Sequence, residues 1–248
     1  MDDNLTAEAV RIVGAGGDEI EAYLAQPQDA GNLVGGVVVI HHMPGFDRAT
    51  KEITRKFAAN GYLALCPNLY SREAPGASPD DAAAVARAQG GVPNDRLVGD
   101  VGGAVEYLRS LDTSNRKVAT IGYCSGGRQS FLAACSLQLD AAVDCYGAFV
   151  LASPPEGAAL KFEPIAHLAK DLSCPLLGLF GDDDQYPAPV EVSELEQILA
   201  QHGKTFEFHS YAGAGHAFFA VDRPSYRPEA ANDGWQRIWE FFGKYLCS

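Results

Sequence analysis

Val118-Ala-Thr-Ile-Gly-Tyr-Cys124-Ser-Gly-Gly-Arg-Gln-Ser130 is the stretch of this 248-residue chain that decides its fold. An apolar run typical of a buried strand leads directly to Cys124, and glycine stands two residues away on either side, at Gly122 and Gly126. This is the pattern of a nucleophile elbow, with cysteine where serine is usual. It predicts a strained, exposed thiol above a sheet, at the N-terminus of a helix that begins at Ser125, where the helix dipole favours a thiolate. A buried structural cysteine beside a tight turn is the alternative.

Partners for a cysteine nucleophile follow in the chain order that such an elbow requires. Leu176–Phe180 reads as a strand and is followed by three aspartates, Asp182 to Asp184, while the later strand 206–211 is followed by His216. The order nucleophile, acid, base separates this topology from other folds that carry a triad. Taken alone, the three aspartates are equally typical of a solvated acidic turn.

The chain resembles the dienelactone hydrolase family, the cysteine-nucleophile branch of the α/β-hydrolases, over nearly its whole length. The resemblance rests on the Gly122-x-Cys-x-Gly-Gly elbow, on Asn60-Gly-Tyr-Leu-Ala-Leu-Cys-Pro-Asn-Leu-Tyr70, on Asp183 four residues before Pro187, and on Gly215-His216-Ala-Phe218. It implies a Cys124, Asp183, His216 triad, and the Asp-to-Pro spacing is the reason for choosing Asp183 among the three aspartates. It also implies that the backbone N–H groups of Met43 and Ser125 form the oxyanion hole.

Two positions depart from the family pattern. The family usually carries glutamate where this chain has His42, and members that act on dienelactone carry arginine where this chain has Ala220. An imidazole at position 42 could lie near the sulfur and favour the thiolate, or could only pack beneath the oxyanion loop and hydrogen-bond a backbone carbonyl. The candidates for substrate binding are His42, Tyr123 and Arg223. The family resemblance does not identify the substrate of this chain.

Composition and charge are those of a single globular domain without a nucleic-acid or membrane partner. Lys and Arg number 19 against 32 Asp and Glu, a net charge of −13, which disfavours binding to nucleic acid or to an anionic membrane. No apolar run approaches the roughly 18 residues of a membrane-spanning helix, and the start of the chain does not look like a signal peptide. We therefore expect a cytoplasmic protein, a monomer or weak homodimer.

The remaining cysteines do not indicate a disulfide framework or a metal site. They are widely spaced and form no Cys-x-x-Cys pair, so we expect reduced thiols and no metal. No cofactor is expected either.

Hydrophobic periodicity predicts an α/β fold: a mostly parallel, twisted sheet with helices on both faces and an antiparallel hairpin at its N-terminal edge. The hairpin is predicted at 9–13 and 19–24, and further strands at 36–40, 62–65, 118–121, 141–145, 176–180 and 206–211. Helices are predicted near 48–59, 80–88, 94–110, 126–137, 190–202 and 230–246. The turn-rich segment 70–93 either caps the site or is a surface excursion.

These features favour a hydrolase of small esters or lactones that acts through a covalent thioester on Cys124. Two alternatives remain open at this point. One is another reaction on the same triad, such as acyl transfer or hydrolysis of phosphotriesters or haloacids. The other is a binding protein on a hydrolase scaffold, because a fold does not guarantee its chemistry.

Overall fold

The computed structural model describes residues 4–28 and 33–247. Its centre is an eight-stranded sheet in the order β1-β2-β4-β3-β5-β6-β7-β8. The strands are β1 (Leu5–Val13), β2 (Glu19–Pro27), β3 (Val34–Ile40), β4 (Leu63–Pro67), β5 (Ser114–Tyr123), β6 (Ala141–Cys145), β7 (Leu176–Gly181) and β8 (Phe206–Tyr211). β1 and β2 form the antiparallel edge, β2 pairs antiparallel with β4, and the pairs from β4 to β8 are parallel. The predicted fold class is confirmed.

Six α-helices of the described chain connect these strands: α1 (Arg48–Ala59), α2 (Pro79–Ala88), α3 (Asn94–Ser110), α4 (Ser125–Ser136), α5 (Pro189–Gln201) and α6 (Pro228–Leu246). The predicted helix and strand boundaries agree with these to within a few residues. The segment 70–93 contains α2, whose first turn is capped by Ser78.

Two apolar layers cover the two faces of the sheet, because successive side chains of a strand point to opposite faces. In β3, Val38 and Ile40 pack with residues of α2 to α5, whereas Val37 and Val39 pack with residues of α1 and α6. The parallel strands are therefore buried on both sides, which accounts for their continuous apolar runs. Their carboxyl ends meet at one edge, and the loops that follow β3, β5, β6, β7 and β8 gather there.

Candidate active site

The predicted elbow is present between β5 and α4. Cys124 has φ 57° and ψ −123°, a strained conformation for a residue with a side chain. A Cβ atom on Gly122 would lie 1.9 Å from the Gly126 carbonyl oxygen, and one on Gly126 would lie 2.4 Å from the oxygen of Ile40. Both glycines are thus required by close backbone contact, and the turn holds the half-buried Cys124 at the first turn of α4.

Two backbone amides are available beside Cys124. Within the described part of the chain, the N–H groups of Met43 and Ser125 donate to no protein acceptor. Both residues line the cavity that contains Cys124. The loop that carries Met43 is fixed by a hydrogen bond from the Tyr70 hydroxyl to the Met43 carbonyl oxygen (3.2 Å) and by one from the Gly45 N–H to the His42 carbonyl (2.9 Å). The arrangement fits the pair of donors that an oxyanion hole needs.

Asp184, and not Asp183, is the carboxylate that contacts His216. The distance from Asp184 Oδ2 to His216 Nδ1 is 2.9 Å, and the Asp184 side chain is only 2% exposed. Asp183 is exposed. The prediction that Asp183 orients His216 is therefore wrong by one residue.

Backbone pairing at the end of β7 explains this choice. The Asp182 and Asp183 N–H groups bond to the carbonyls of Tyr211 and Ala214, which continues the contact with the neighbouring strand. At Asp184 the chain turns: its N–H donates to the Gly181 carbonyl (3.2 Å). The turn directs the third aspartate inward and leaves its two predecessors at the surface.

His216 has the electrostatics of a proton shuttle. Burial lowers its pKa, but hydrogen bonds that the protonated ring donates to the Asp184 carboxylate and the Cys124 sulfur, together with the charge of these partners, more than offset this and raise the pKa to about 10. Because Nδ1 faces Asp184, Nε2 is left for the sulfur. An imidazolium at this position favours the thiolate form of a neighbouring cysteine.

Cys124 and His216 open onto a cavity of about 490 Å3, which we call the Cys124 cavity. Its walls are mostly apolar and include Phe149, Leu160, Phe162 and Tyr186. The segment after β6 supplies the first three of these residues. No arginine or lysine of the described chain lines this cavity, whereas Asp183 and Asp184 do.

The chain matches the model of the dienelactone hydrolase family over residues 20–246. The chain belongs to the dienelactone hydrolase family. It is similar to proteins named "Putative carboxymethylenebutenolidase" from Salmonella typhimurium, at 32% identity over 98% of this chain and 89% of that one, and from Escherichia coli K12, at 34% identity over 92% and 84%. The crystal structure described as a putative dienelactone hydrolase from Klebsiella pneumoniae superposes with a TM-score of 0.86 at 29% identity, over 98% of this chain and all of the other. As a member of this family, the chain is an ester or lactone hydrolase with the α/β-hydrolase fold.

The predicted substrate-binding residues do not line the Cys124 cavity. His42 and Tyr123 open onto a second cavity, which lies between α1, the start of α6 and the loop that follows His216. Arg223 is exposed and lines neither cavity. Tyr123 is the last residue of β5, and its ring packs into the apolar layer on the α1 and α6 side, which explains its position.

His42, the first departure from the dienelactone hydrolase pattern, is paired with a carboxylate. Its Nε2 lies 2.7 Å from Oδ2 of Asp47, the residue that caps the N-terminus of α1. Burial opposes ionisation of Asp47, but hydrogen bonds from His42 and Thr50 lower its pKa to about 2. Of the two expectations for His42, neither describes this pairing: the imidazole is held by a carboxylate instead of a backbone carbonyl.

Three functional candidates were not predicted. Tyr146 follows β6, with its ring centroid 5.2 Å from that of His216. Arg128 is 1% exposed and donates to the carbonyls of Phe149 (3.2 Å) and Glu163 (2.8 Å), so it ties α4 to the segment that walls the Cys124 cavity. Asp144 is buried below the elbow. Tyr146 directly follows the carboxyl end of a predicted strand, where ligand sites of α/β folds lie, so this position could have marked it as a candidate. Nothing in the local sequence pattern marks Arg128.

The described residues contain no cluster of three or more histidine, cysteine, aspartate or glutamate side chains arranged to hold a metal ion. None of their helices combines the length and the apolarity that a membrane crossing requires.

Proposed function

We propose that this chain hydrolyses small, uncharged esters or lactones through Cys124, His216 and Asp184, by way of a thioester intermediate. The observation that carries the proposal is the relay at the elbow: a strained cysteine beside His216, whose Nδ1 is bonded to a buried carboxylate. The family supplies the reaction class, ester or lactone hydrolysis.

The first half of the reaction forms the thioester. The Cys124 sulfur attacks the carbonyl carbon, and the carbonyl oxygen becomes an oxyanion held by the N–H groups of Met43 and Ser125. The C–O bond then breaks, and the imidazolium of His216 gives its proton to the departing alkoxide. With a lactone, the ring opens and the alcohol stays attached to the acyl group.

The second half regenerates the thiolate. His216 takes a proton from water, the hydroxide adds to the thioester carbonyl, and the C–S bond breaks to release the acid. Asp184 holds the imidazole in one tautomer and stabilises its cationic form at both stages.

The walls of the Cys124 cavity support an uncharged substrate. Aromatic and aliphatic side chains surround the thiol, and the exposed Asp183 carboxylate stands at the same cavity. A substrate carboxylate would meet like charge there and no basic side chain. The family arginine that binds such a carboxylate is replaced by Ala220, which opens onto the second cavity instead.

Steady-state hydrolysis of p-nitrophenyl esters tests the proposal. We expect Cys124→Ala to abolish turnover and His216→Ala to lower kcat by several powers of ten, because triad members act as a unit. Cys247→Ala, which removes an exposed thiol, is the matched control and should behave like the wild type. Robust turnover by Cys124→Ala would contradict the proposal.

Two esters of similar size test the substrate class. The wild type should hydrolyse p-nitrophenyl hexanoate with a kcat/KM at least about tenfold above that for the mono-p-nitrophenyl ester of glutaric acid, which carries a terminal carboxylate, because the like-charge penalty is about 1.4 kcal/mol or more. An equal or reversed preference would show that a basic group reaches the substrate.

A further inference from the structure

Three aromatic rings of the Cys124 cavity pack against one another beside the thiol. The Phe149 ring centroid lies 5.4 Å from that of Tyr186 and 6.4 Å from that of Phe162, and the ring planes are inclined at 40° and 44°. These separations lie within the range in which aromatic rings attract one another. We call Phe149, Phe162 and Tyr186 the aromatic wall.

Phe149 is held in a conformation that costs free energy. Its φ is 65°, in the left-handed region that residues with a side chain rarely adopt. Its carbonyl oxygen accepts a hydrogen bond from Arg128 Nε (3.2 Å), and Arg128 belongs to α4, the helix that begins directly after Cys124. Strain of this kind persists where the surrounding structure enforces it, and it is concentrated at ligand sites.

Phe162 is fixed to the same arginine. The Arg128 guanidinium carbon lies 4.7 Å from the centroid of the Phe162 ring, and Arg128 Nη2 donates to the carbonyl of the next residue, Glu163 (2.8 Å). The ring also packs against backbone, because a Cβ atom on Gly91 would lie 3.0 Å from it. The position of the Phe162 ring is therefore set by close contacts on several sides.

Tyr186 is fixed to the carboxylate that contacts His216. Its backbone N–H donates to Oδ1 of Asp184 (2.9 Å), while Oδ2 of the same carboxylate is bonded to His216. The Tyr186 side chain is exposed, yet its ring packs on Phe149. The aromatic wall is thus joined to the helix of the thiol at one end and to Asp184 at the other, so it is preorganised for a ligand.

The chemistry of the aromatic wall favours an uncharged aromatic ring. Aromatic pairs gain free energy beyond the burial of area, which a saturated ring of the same size does not. A cation would also be attracted to ring faces and to Asp183, but the buried Arg128 lies against Phe162 and would repel it. The hydrogen bonds of Arg128 go to neutral backbone and amide oxygens, so its charge is not cancelled.

We propose that the Cys124 cavity is selective for substrates that carry an uncharged aromatic ring near the reacting carbonyl, and that Phe149, Phe162 and Tyr186 determine this selectivity. The proposal deepens the proposed function and rests on it for the reaction. The preference for an aromatic ring can nevertheless be measured on the thiol alone.

Alkylation of Cys124 measures this preference without ester hydrolysis. N-phenyl iodoacetamide and N-cyclohexyl iodoacetamide differ only in the aromaticity of a six-membered ring; in both, the sulfur forms a C–S bond and iodide leaves. Mass spectrometry of the peptide that contains Cys124 gives the rate, which is divided by the rate of the same reagent with free cysteine. We expect the phenyl reagent to react about threefold to tenfold faster after this correction.

Leucine variants locate the preference. Phe149→Leu and Phe162→Leu should each bring the ratio of the two rates towards one, because leucine stays apolar but has no ring. Phe206→Leu is the matched control, since Phe206 lies in β8 and does not line the cavity, and it should keep the ratio of the wild type. Circular dichroism confirms folding, and Tyr186→Leu, at an exposed position, provides the test if Phe162→Leu does not fold.

Three acetate esters extend the test to turnover. Phenethyl acetate, cyclohexylethyl acetate and acetylcholine carry a phenyl, a cyclohexyl and a trimethylammonium group on the same ethyl chain. Relative to its rate of hydrolysis by hydroxide, the phenyl ester should have a kcat/KM at least about threefold above each of the others.

Three outcomes would overturn the proposal. The first is equal corrected alkylation rates for the phenyl and cyclohexyl reagents. The second is a phenyl preference that Phe149→Leu, Phe162→Leu and Phe206→Leu all leave unchanged. The third is a preference for acetylcholine, which would show that the aromatic wall binds a cation. An aromatic preference in alkylation without turnover of any ester would instead support the selectivity of the cavity and contradict the proposed function.

Discussion

Replacing Asp184 with asparagine should disable the enzyme while leaving the fold intact. The 2.9 Å bond from Asp184 Oδ2 to His216 Nδ1 is nearly solvent-free, since the carboxylate side chain is 2% exposed. A hydrogen bond of this charge-assisted kind contributes about 1.5 to 3 kcal/mol, or about 10- to 150-fold in rate if it is lost in the transition state. The asparagine amide can also present its N–H to Nδ1, which fixes the tautomer that cannot accept a proton at Nε2.

We therefore expect Asp184→Asn to lower kcat/KM for p-nitrophenyl butyrate by about 100- to 10,000-fold. The pKa of His216, raised to about 10 in the wild type, should fall in the same variant, because its strongest stabilising partner is removed. Stopped-flow or steady-state absorbance at 400 nm measures the rate, and NMR of the imidazole measures the titration.

The neighbouring aspartates provide matched controls of identical chemistry. Asp182→Asn and Asp183→Asn should stay within about threefold of the wild type, because both side chains are exposed and neither contacts His216. The assignment is refuted if Asp183→Asn is the crippled variant and Asp184→Asn remains active.

Thiol reactivity, the pH dependence of stability and the role of Arg128 can each be tested. His216→Ala should slow inactivation of the enzyme by iodoacetamide far more than His42→Gln does, because His216 contacts the Cys124 sulfur whereas His42 faces a carboxylate. Equal effects of the two variants would contradict this. Burial raises the pKa of Asp144 from 3.8 to about 7, so between these pH values the folded state holds a proton that the unfolded state has lost, and stability falls as the pH rises through this range. In urea unfolding, Asp144→Asn should therefore stabilise the protein by up to about 4 kcal/mol at pH 8 and by little at pH 4. An equal gain at the two pH values would refute this. Arg128→Met should raise KM about tenfold with a smaller change in kcat, because the substitution releases the segment that walls the Cys124 cavity. Arg128→Lys should raise KM less than Arg128→Met does. A change in kcat alone would argue against a role of Arg128 in holding this segment.

The fold and the nucleophile could be read from the sequence because both are local patterns. In the Gly-x-Cys-x-Gly-Gly pattern, Gly122 is required by a contact only four residues away, because a Cβ atom there would lie 1.9 Å from the Gly126 oxygen. The strands could also be predicted from the sequence, because strands that are buried on both faces are continuous apolar runs.

The identity of the acid could not be read in the same way. Three consecutive aspartates have the same chemistry, and which one turns inward depends on the hydrogen bond from the Asp184 N–H to Gly181 and on the pairing of β7 with the chain after β8. The first is a local turn, but the pairing joins Asp182 and Asp183 to Tyr211 and Ala214, about 30 residues further along the chain. The spacing between an aspartate and Pro187 carries no information about these contacts.

The residues that wall the Cys124 cavity could not be predicted from the sequence either. Phe149 and Phe162 meet at the Cys124 cavity because buried Arg128 holds the chain beside both, through the carbonyl groups of Phe149 and Glu163. His42 and Tyr123 are near the thiol in sequence or by motif, yet the sheet and the oxyanion loop place them at a different cavity. Proximity along the chain therefore does not predict the cavity at which these two substrate-binding candidates lie, and the third, Arg223, lies at neither cavity.

Trapping the acyl-enzyme tests covalent catalysis at Cys124. Wild-type protein is mixed with p-nitrophenyl butyrate, quenched in acid within milliseconds, digested and analysed by mass spectrometry. We expect one butyryl group on the peptide that contains Cys124, formed in step with the burst of p-nitrophenol, and accumulating in Asp184→Asn if hydrolysis of the thioester is the slower step. A burst without acylation of Cys124, or an acyl group on another residue, would show that Cys124 is not the nucleophile.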